Sequence, residues 1–262
     1  MVFLRSLERV VLTLILVSMT SFACAQDGNE LESSQRYPYV IGASVSMGFN
    51  LFGKGHSPSL YALEKMGYER DYIVKKTVIT GTFKRKMGWL EDSLAEKPPE
   101  VIFGIDLFHH NTEDRPEVPQ STYDYVDEIL ELLCESGVPV IVGDVWTRRG
   151  DDRYARQVSD YLYQQASERD NLFIFPAYDL MVAIKGEASP FMYAIDGEAL
   201  AIDERRGKKL LLDIVHPNAD GAKVMANIII NLMNTNTDSE INYYDVSYVV
   251  DELDQIEIEY PE

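Results

Sequence analysis

Cysteine is nearly absent: the 262 residues contain two, Cys24 and Cys134. Two cysteines cannot build a disulfide scaffold, so the fold has to rest on a hydrophobic core. Basic residues are scarce too, 24 Lys and Arg against 43 Asp and Glu, for a formal net charge of -19. That balance excludes sequence-independent nucleic-acid binding, which needs a basic surface to replace counterions, and it disfavours adsorption to anionic membranes. Long hydrophobic runs are missing as well. The longest spans residues 10–19, about half of the roughly 20 apolar residues that a permanent membrane span needs. What remains is ordinary globular composition, 46% hydrophobic and 26% charged, which excludes a disordered acidic chain, a collagen and a coiled coil.

Residues 1–25 read as a secretory signal. Arg5 and Arg9 form a basic start, residues 10–19 an apolar stretch of the usual length, and Ala23-Cys24-Ala25 a small-x-small cleavage site. The expected mature chain begins at Gln26 and is exported to a periplasm or the exterior. A rival reading, a lipoprotein anchored at Cys24, is weakened by Ser21, which stands where such signals carry Leu, and by the bulk of Phe22. Cys134 is then left alone, on the apolar side of an expected helix, as a buried and inert thiol.

Beyond a polar leader at 26–36, short apolar runs alternate with amphipathic stretches. Expected strands cover 37–42, 72–80, 101–105, 138–143 and 172–175. The last three are continuously apolar, as in strands buried on both faces. Expected helices cover 121–136, 152–168 and 219–233, the first opened by a capping box of Ser121 with Asp124. Strand–helix alternation predicts an α/β domain over 37–233 with a parallel, doubly wound sheet. From 234 to 262 there are nine acidic residues and no basic one. This segment is expected to be a solvated acidic extension, although Tyr243, Val246, Tyr248, Val249 and Val250 would let it pack as a strand or clasp.

On such a sheet ligands bind beyond the carboxyl ends of the strands, and four groups of residues fall there. Gly42-Ala43-Ser44-Val45-Ser46 follows the first expected strand. A serine at a strand-to-helix turn has its hydroxyl lifted to the top of the sheet. Gly81 follows the second strand, where a glycine N–H could approach a developing oxyanion. Asp106 ends the third. Asp213-Ile214-Val215-His216-Pro217-Asn218 precedes the last helix. In a tight loop Asp213 can reach Nδ1 of His216 and leave Nε2 free as a base.

Together these residues resemble the blocks of the SGNH hydrolases, also called the GDSL esterases and lipases. The first block, Gly-Asp-Ser-x-Ser, is similar to residues 42–46 with Ala43 in place of Asp. The second-block glycine matches Gly81. The third block, Gly-x-Asn-Asp, aligns with residues 104–107, with Asp106 where Asn is expected, and Asp-x-x-His matches Asp213 and His216. The resemblance implies a flavodoxin-like three-layer sandwich around a parallel five-stranded sheet, and a serine hydrolase without a cofactor. It makes Ser44 the nucleophile, His216 the base and Asp213 its orienting carboxylate. The oxyanion hole would comprise the N–H groups of Ser44 and Gly81 and the side chain at 106.

Asp106 is the consequential departure. An Asn amide donates to an oxyanion, whereas an ionised carboxylate only accepts. The expectation from sequence is that Asp106, among Ile105, Leu107 and Phe108, stays protonated and donates. Asp106→Asn would then keep or raise activity. The other outcomes are that Asn111 or another group takes over, or that hydrolysis is crippled.

His109 and His110 follow the third strand and are candidate substrate contacts. Adjacent side chains in an extended segment face opposite ways and rarely share one ion, and no His or Cys pair has metal-site spacing, so no metal is expected. Trp146, after the fourth strand, is either a stacking platform for a sugar or a core residue. Residues 48–55 nearly match a phosphate-binding loop, but Gly55 stands where Ser or Thr must hold Mg²⁺. The leading functional expectation is an exported serine esterase acting on a small acyl ester, such as an acetylated carbohydrate or a lipid. The alternative is a catalytically degenerate module of the same fold that binds carbohydrate or another ligand. A third reading is a scaffold protein that uses its acidic tail.

Overall fold

A computed structural model describes residues 35–48, 55–77, 83–108, 117–147, 152–187, 189–195, 198–213 and 215–247. Five strands form one parallel sheet: β1 (Tyr37–Gly42), β2 (Val74–Thr77), β3 (Pro99–Gly104), β4 (Val140–Gly143) and β5 (Leu172–Phe175), in the order β2-β1-β3-β4-β5. Their side chains alternate between two cores. Val40, Val101, Phe103, Ile141 and Phe175 pack on one side; Tyr39, Ile41, Ile102, Val140, Val142 and Ile174 pack on the other. A strand covered on both faces has no polar side, which is why these runs read as continuously apolar. β2, one of the two edge strands, is the exception: its sequence is VKKT, with Lys75 and Thr77 exposed.

The helices form the outer layers. The second core takes its helical side chains from α3 (Phe83–Glu96), α4 (Gln120–Cys134) and α5 (Arg153–Ser167), through Leu90, Val126, Leu130, Leu133, Val158 and Leu162. The first core takes them from α2 (Pro58–Lys65) and α8 (Ala219–Asn236), through Leu63, Met225, Ile228 and Ile229. A short helix, α6 (Ala177–Ile184), contributes to both. Full burial of one such aliphatic side chain contributes about 1.5–3 kcal/mol, so the two cores carry most of the favourable free energy. No helix among the described residues is long and apolar enough to cross a membrane.

Several elements differ from the sequence expectations. α4 starts at Gln120 with Pro119 at its cap position and no side-chain cap, so Ser121 lies inside the helix instead of capping it. Pro119 cannot continue a helix backward but its extended backbone, φ -62 and ψ 145, is a suitable entry. Ser57 caps α2 by accepting from the Leu60 N–H, with Pro58 in the first turn, a start signal that residue types alone could have revealed. An antiparallel hairpin, β6 (Phe191–Ile195) with β7 (Glu198–Ile202), and helix α7 (Glu204–Leu210) stand between α6 and the last helix. Asp196-Gly197 between two apolar runs is the sequence signal for that hairpin.

The expected solvated tail is corrected for its first part. α8 continues to Asn236, and the chain after it returns along the helix. The Asn227 side chain accepts from the Tyr244 N–H at 2.8 Å and donates to the Tyr244 carbonyl at 2.9 Å. Asn234 pairs in the same way with Ile241, 2.9 Å in both directions. Tyr243 donates its hydroxyl to Asn231, and Tyr244 to the Tyr61 carbonyl of α2. Ile241, Tyr243, Tyr244 and Val246 pack against the first core. A segment without a neighbouring strand has to satisfy its backbone with side chains, and asparagine, which both donates and accepts, does so here. The remainder of the acidic segment, the signal region and Gly81, His109, His110 and Asn111 lie outside the described residues.

Candidate active site

With this strand order the sense in which strands are added to the sheet reverses between β1 and β3, and the carboxyl ends of those two strands border the crevice where such sheets bind ligands. The chain leaves β1 through Gly42, whose φ of 153° suits glycine, and enters the single-turn helix α1 (Ser44–Met47). Gly48, left-handed at φ 71°, closes α1 through its N–H to the carbonyls of Ser44 and Val45. Ser57 then clasps the far side, its hydroxyl donating to the Ser46 carbonyl at 2.5 Å. Ser44 is therefore the first residue of a turn held from both ends, and its side chain is half-buried.

His216 reaches the same place from a tight loop. The Leu212 N–H donates to the His216 carbonyl at 2.7 Å, and the Asn218 N–H to the Leu210 carbonyl at 2.9 Å, so the chain folds back on itself between α7 and α8. Asn218 caps α8 at the Gly221 N–H and also donates to the Lys209 carbonyl. A side chain at Gly221 would collide with the Leu210 carbonyl, so glycine is required for that approach. At the loop's tip Asp213 accepts from the N–H groups of Val215 and His216, both at 2.9 Å and both on Oδ1.

Three side chains then fall into line. His216 Nδ1 lies 2.9 Å from Oδ1 and 2.7 Å from Oδ2 of Asp213, and His216 Nε2 lies 2.8 Å from Ser44 Oγ. A carboxylate can only accept, so the Nδ1 position carries the proton and Nε2 faces the Ser44 hydroxyl as an acceptor. Desolvation pushes the Asp213 carboxyl up, but the N–H groups of Val215 and His216 and the imidazole outweigh it and hold the carboxyl below its ordinary value. The stability that this carboxylate contributes is accordingly complete above the unfolded value of about 3.9 and is lost as pH falls through the folded one.

Asp106 is placed differently from the sequence expectation. It sits just past β3, 1% exposed, with both oxygens turned beneath the Ser44 turn. Oδ1 accepts from Ala43 N–H at 2.8 Å and Ser46 N–H at 3.2 Å; Oδ2 accepts from Val45 N–H at 2.8 Å. Burial raises its carboxyl above the ordinary value, while the Ser46 hydroxyl and the three N–H groups pull against that rise. Both oxygens thus meet the N–H groups of the Ser44 turn as acceptors, where the sequence expectation has Asp106 as a donor aimed at substrate. The Ser44 N–H is left out of the set that Asp106 collects.

The same device occurs once more. Asp144, just past β4 and 1% exposed, accepts from the Tyr178 N–H at 2.6 Å and so caps α6, the helix that follows the neighbouring strand β5. Burial, with Asp179 and Asp160 nearby, holds its carboxyl well above the ordinary value against the N–H groups of Tyr178 and Ala177. Trp146 is corrected as well: it is 3% exposed and stacked on Phe175 with ring centroids 6.3 Å apart, a core residue with no face for a sugar.

No protein-family model and no curated protein matches the chain in sequence. Solved structures do resemble it. A lipolytic protein of the G-D-S-L family from Veillonella parvula superposes with a TM-score of 0.51 at 16% identity, covering 76% of this chain and 99% of its own. A psychrotrophic esterase, EstA, from a Pseudoalteromonas species gives 0.50 at 13%, covering 77% and 98%. TesA gives 0.50 at 17%, covering 76% and 99%. The chain has the α/β fold of the GDSL, or SGNH, hydrolases.

Proposed function

We propose that this chain, with the fold of the GDSL hydrolases, is a serine esterase that cleaves a small acyl ester through an acyl-enzyme on Ser44. The observation that carries the reading is the unbroken line from Asp213 through His216 to the Ser44 hydroxyl, closed by the 2.8 Å contact. Ser44 Oγ attacks the ester carbonyl and its proton passes to His216 Nε2. The imidazolium that forms is stabilised by Asp213, whose grip on Nδ1 also keeps the ring oriented. The tetrahedral oxyanion collapses, the C–O bond breaks, and His216 returns the proton to the departing alkoxide. Water then attacks the acyl carbon with His216 again as base, releasing the acid and restoring Ser44. The Ser44 N–H, with the Gly81 N–H proposed beside it, would hold the oxyanion; His109 and His110 remain proposed substrate contacts. The assembled proton path favours an enzyme over the binding-module alternative, which has no use for a histidine tautomer fixed against a serine.

A fluorophosphonate probe tests the reading, because it reacts only with an activated hydroxyl. The expected result is one covalent adduct on Ser44 in the intact protein, absent in Ser44→Ala. An unlabelled but folded wild type would rule out the esterase. We also propose that the protein is exported and begins at Gln26. Mass spectrometry of the native protein from its own cells should show that N-terminus; an intact N-terminus, or a diacylglyceryl group on Cys24, would refute it.

A further inference from the structure

We propose that Asp106 is an ionised positioning residue that holds the nucleophile turn in place from the neighbouring strand, and that it makes no contact with the oxyanion; the role rests on the esterase reading above. The geometry supplies the argument. Three N–H groups of the Ser44 turn, those of Ala43, Val45 and Ser46, converge on the two oxygens of one buried carboxylate. A carboxylate offers about four lone-pair sites and no proton. A carboxylic acid keeps some acceptor capacity but accepts more weakly on the oxygen that carries the proton. Hydrogen bonds to an ionised acceptor are also the stronger kind, and they take up N–H groups that α1, a single turn, has no preceding turn to satisfy.

Two neighbouring residues are matched to this arrangement. Gly42 leaves empty the volume that the carboxylate uses: a Cβ there would collide with Asp106 Oδ1 and with Ser46 Oγ. Ala43 is fully buried and has no polar group to offer, so the acid at the foot of the turn arrives from β3 instead of from the turn itself. By taking three of the four N–H groups between Ala43 and Ser46, Asp106 selects the remaining one, that of Ser44, for the substrate oxygen. Asp106 thereby sets where the Ser44 Oγ and N–H point without touching the ester.

An amide at 106 is the decisive substitution. Asn can accept on one side only, so its NH₂ would confront at least one of the three N–H groups and the turn would shift. A misplacement of about 1 Å at a reacting centre costs on the order of 10²-fold in rate. The expected result for Asp106→Asn is a folded protein with kcat lowered about 10²-fold, KM unchanged within about threefold, and phosphonate labelling slowed in parallel. Asp144→Asn is the comparison, since it weakens a smaller clamp of the same kind, a buried carboxyl accepting from the Tyr178 N–H; its loss of melting temperature should come with kcat kept. Wild-type activity or better in Asp106→Asn would overturn the proposal and make the side chain an oxyanion donor. A kcat loss no greater than that of Asp144→Asn would overturn it in favour of a structural role.

Should Asp106→Asn fail to fold, the wild type decides. Carbon-13 NMR of protein labelled at aspartate carboxyls should show Asp106 ionised at neutral pH, and a protonated Asp106 would overturn the proposal. That measurement needs no turnover, so it separates failure here from failure of the esterase reading, for which an inert wild-type Ser44 is the sign.

Discussion

Asp213→Asn should fold and yet lose about 10⁴ in kcat, the scale seen when a triad histidine is held in the wrong tautomer. The reason lies in the loop. Two backbone N–H groups, of Val215 and His216, both land on Oδ1 of Asp213. In the asparagine variant they would keep the amide oxygen at that position and turn the NH₂ toward His216 Nδ1, where Oδ2 now sits at 2.7 Å. The amide would donate to Nδ1 and drive the ring proton to Nε2, against the Ser44 hydroxyl. A base that already carries a proton cannot take another. The loop's own hydrogen bonds would survive, so the melting temperature should change little while hydrolysis of an aryl acetate collapses. Retention of kcat within about tenfold would mean that Asp213 is not the orienting group and would remove the triad assignment with it.

Gly42→Ala should damage stability and activity together. The residue has a φ of 153°, a region where side chains are strained by about 1–3 kcal/mol. Its added methyl would also meet Asp106 Oδ1 and Ser46 Oγ. Asp106 cannot retreat without leaving buried N–H groups unpaired, at about 1–3 kcal/mol each. The sum is at least about 3 kcal/mol, readable as a lower denaturant midpoint at unchanged slope. Whatever protein stays folded would carry a displaced Ser44 turn, with kcat down on the order of 10²-fold. A midpoint shift worth less than about 1 kcal/mol would show that the turn accommodates a side chain and that Asp106 is not confined as the geometry indicates.

The sheet could be read from the chain because burial on both faces leaves a mark at every position. Val101, Ile102 and Phe103 alternate between two cores and are apolar in each, so no knowledge of the partner strands is needed to see a buried strand. The Asp213–His216 pair was equally legible, since three residues in a tight loop decide its geometry locally. The hairpin and the cap of α2 had local signals too, in Asp196-Gly197 and Ser57-Pro58, and could have been taken from residue types alone.

Other features are properties of approach between distant segments. Whether Asp106 donates or accepts depends on backbone groups 60 to 63 residues away, and a buried carboxyl among apolar neighbours reads the same from sequence in either case. Trp146 has the composition of a binding platform, and only its stacking on Phe175 places it in the core. The acidic count after residue 233 suggested solvent, while Asn227 and Asn234 bind the returning chain through side-chain amides whose partners are named only when helix and tail meet. By itself the sequence determined the periodicities and the loop in which Asp213 meets His216, because those interactions span a few residues. The tertiary structure decided the line from His216 to Ser44, 172 residues apart, and the sense of the three hydrogen bonds that Asp106 accepts from Ala43, Val45 and Ser46, because a polar group's role is set by the groups that desolvate and face it.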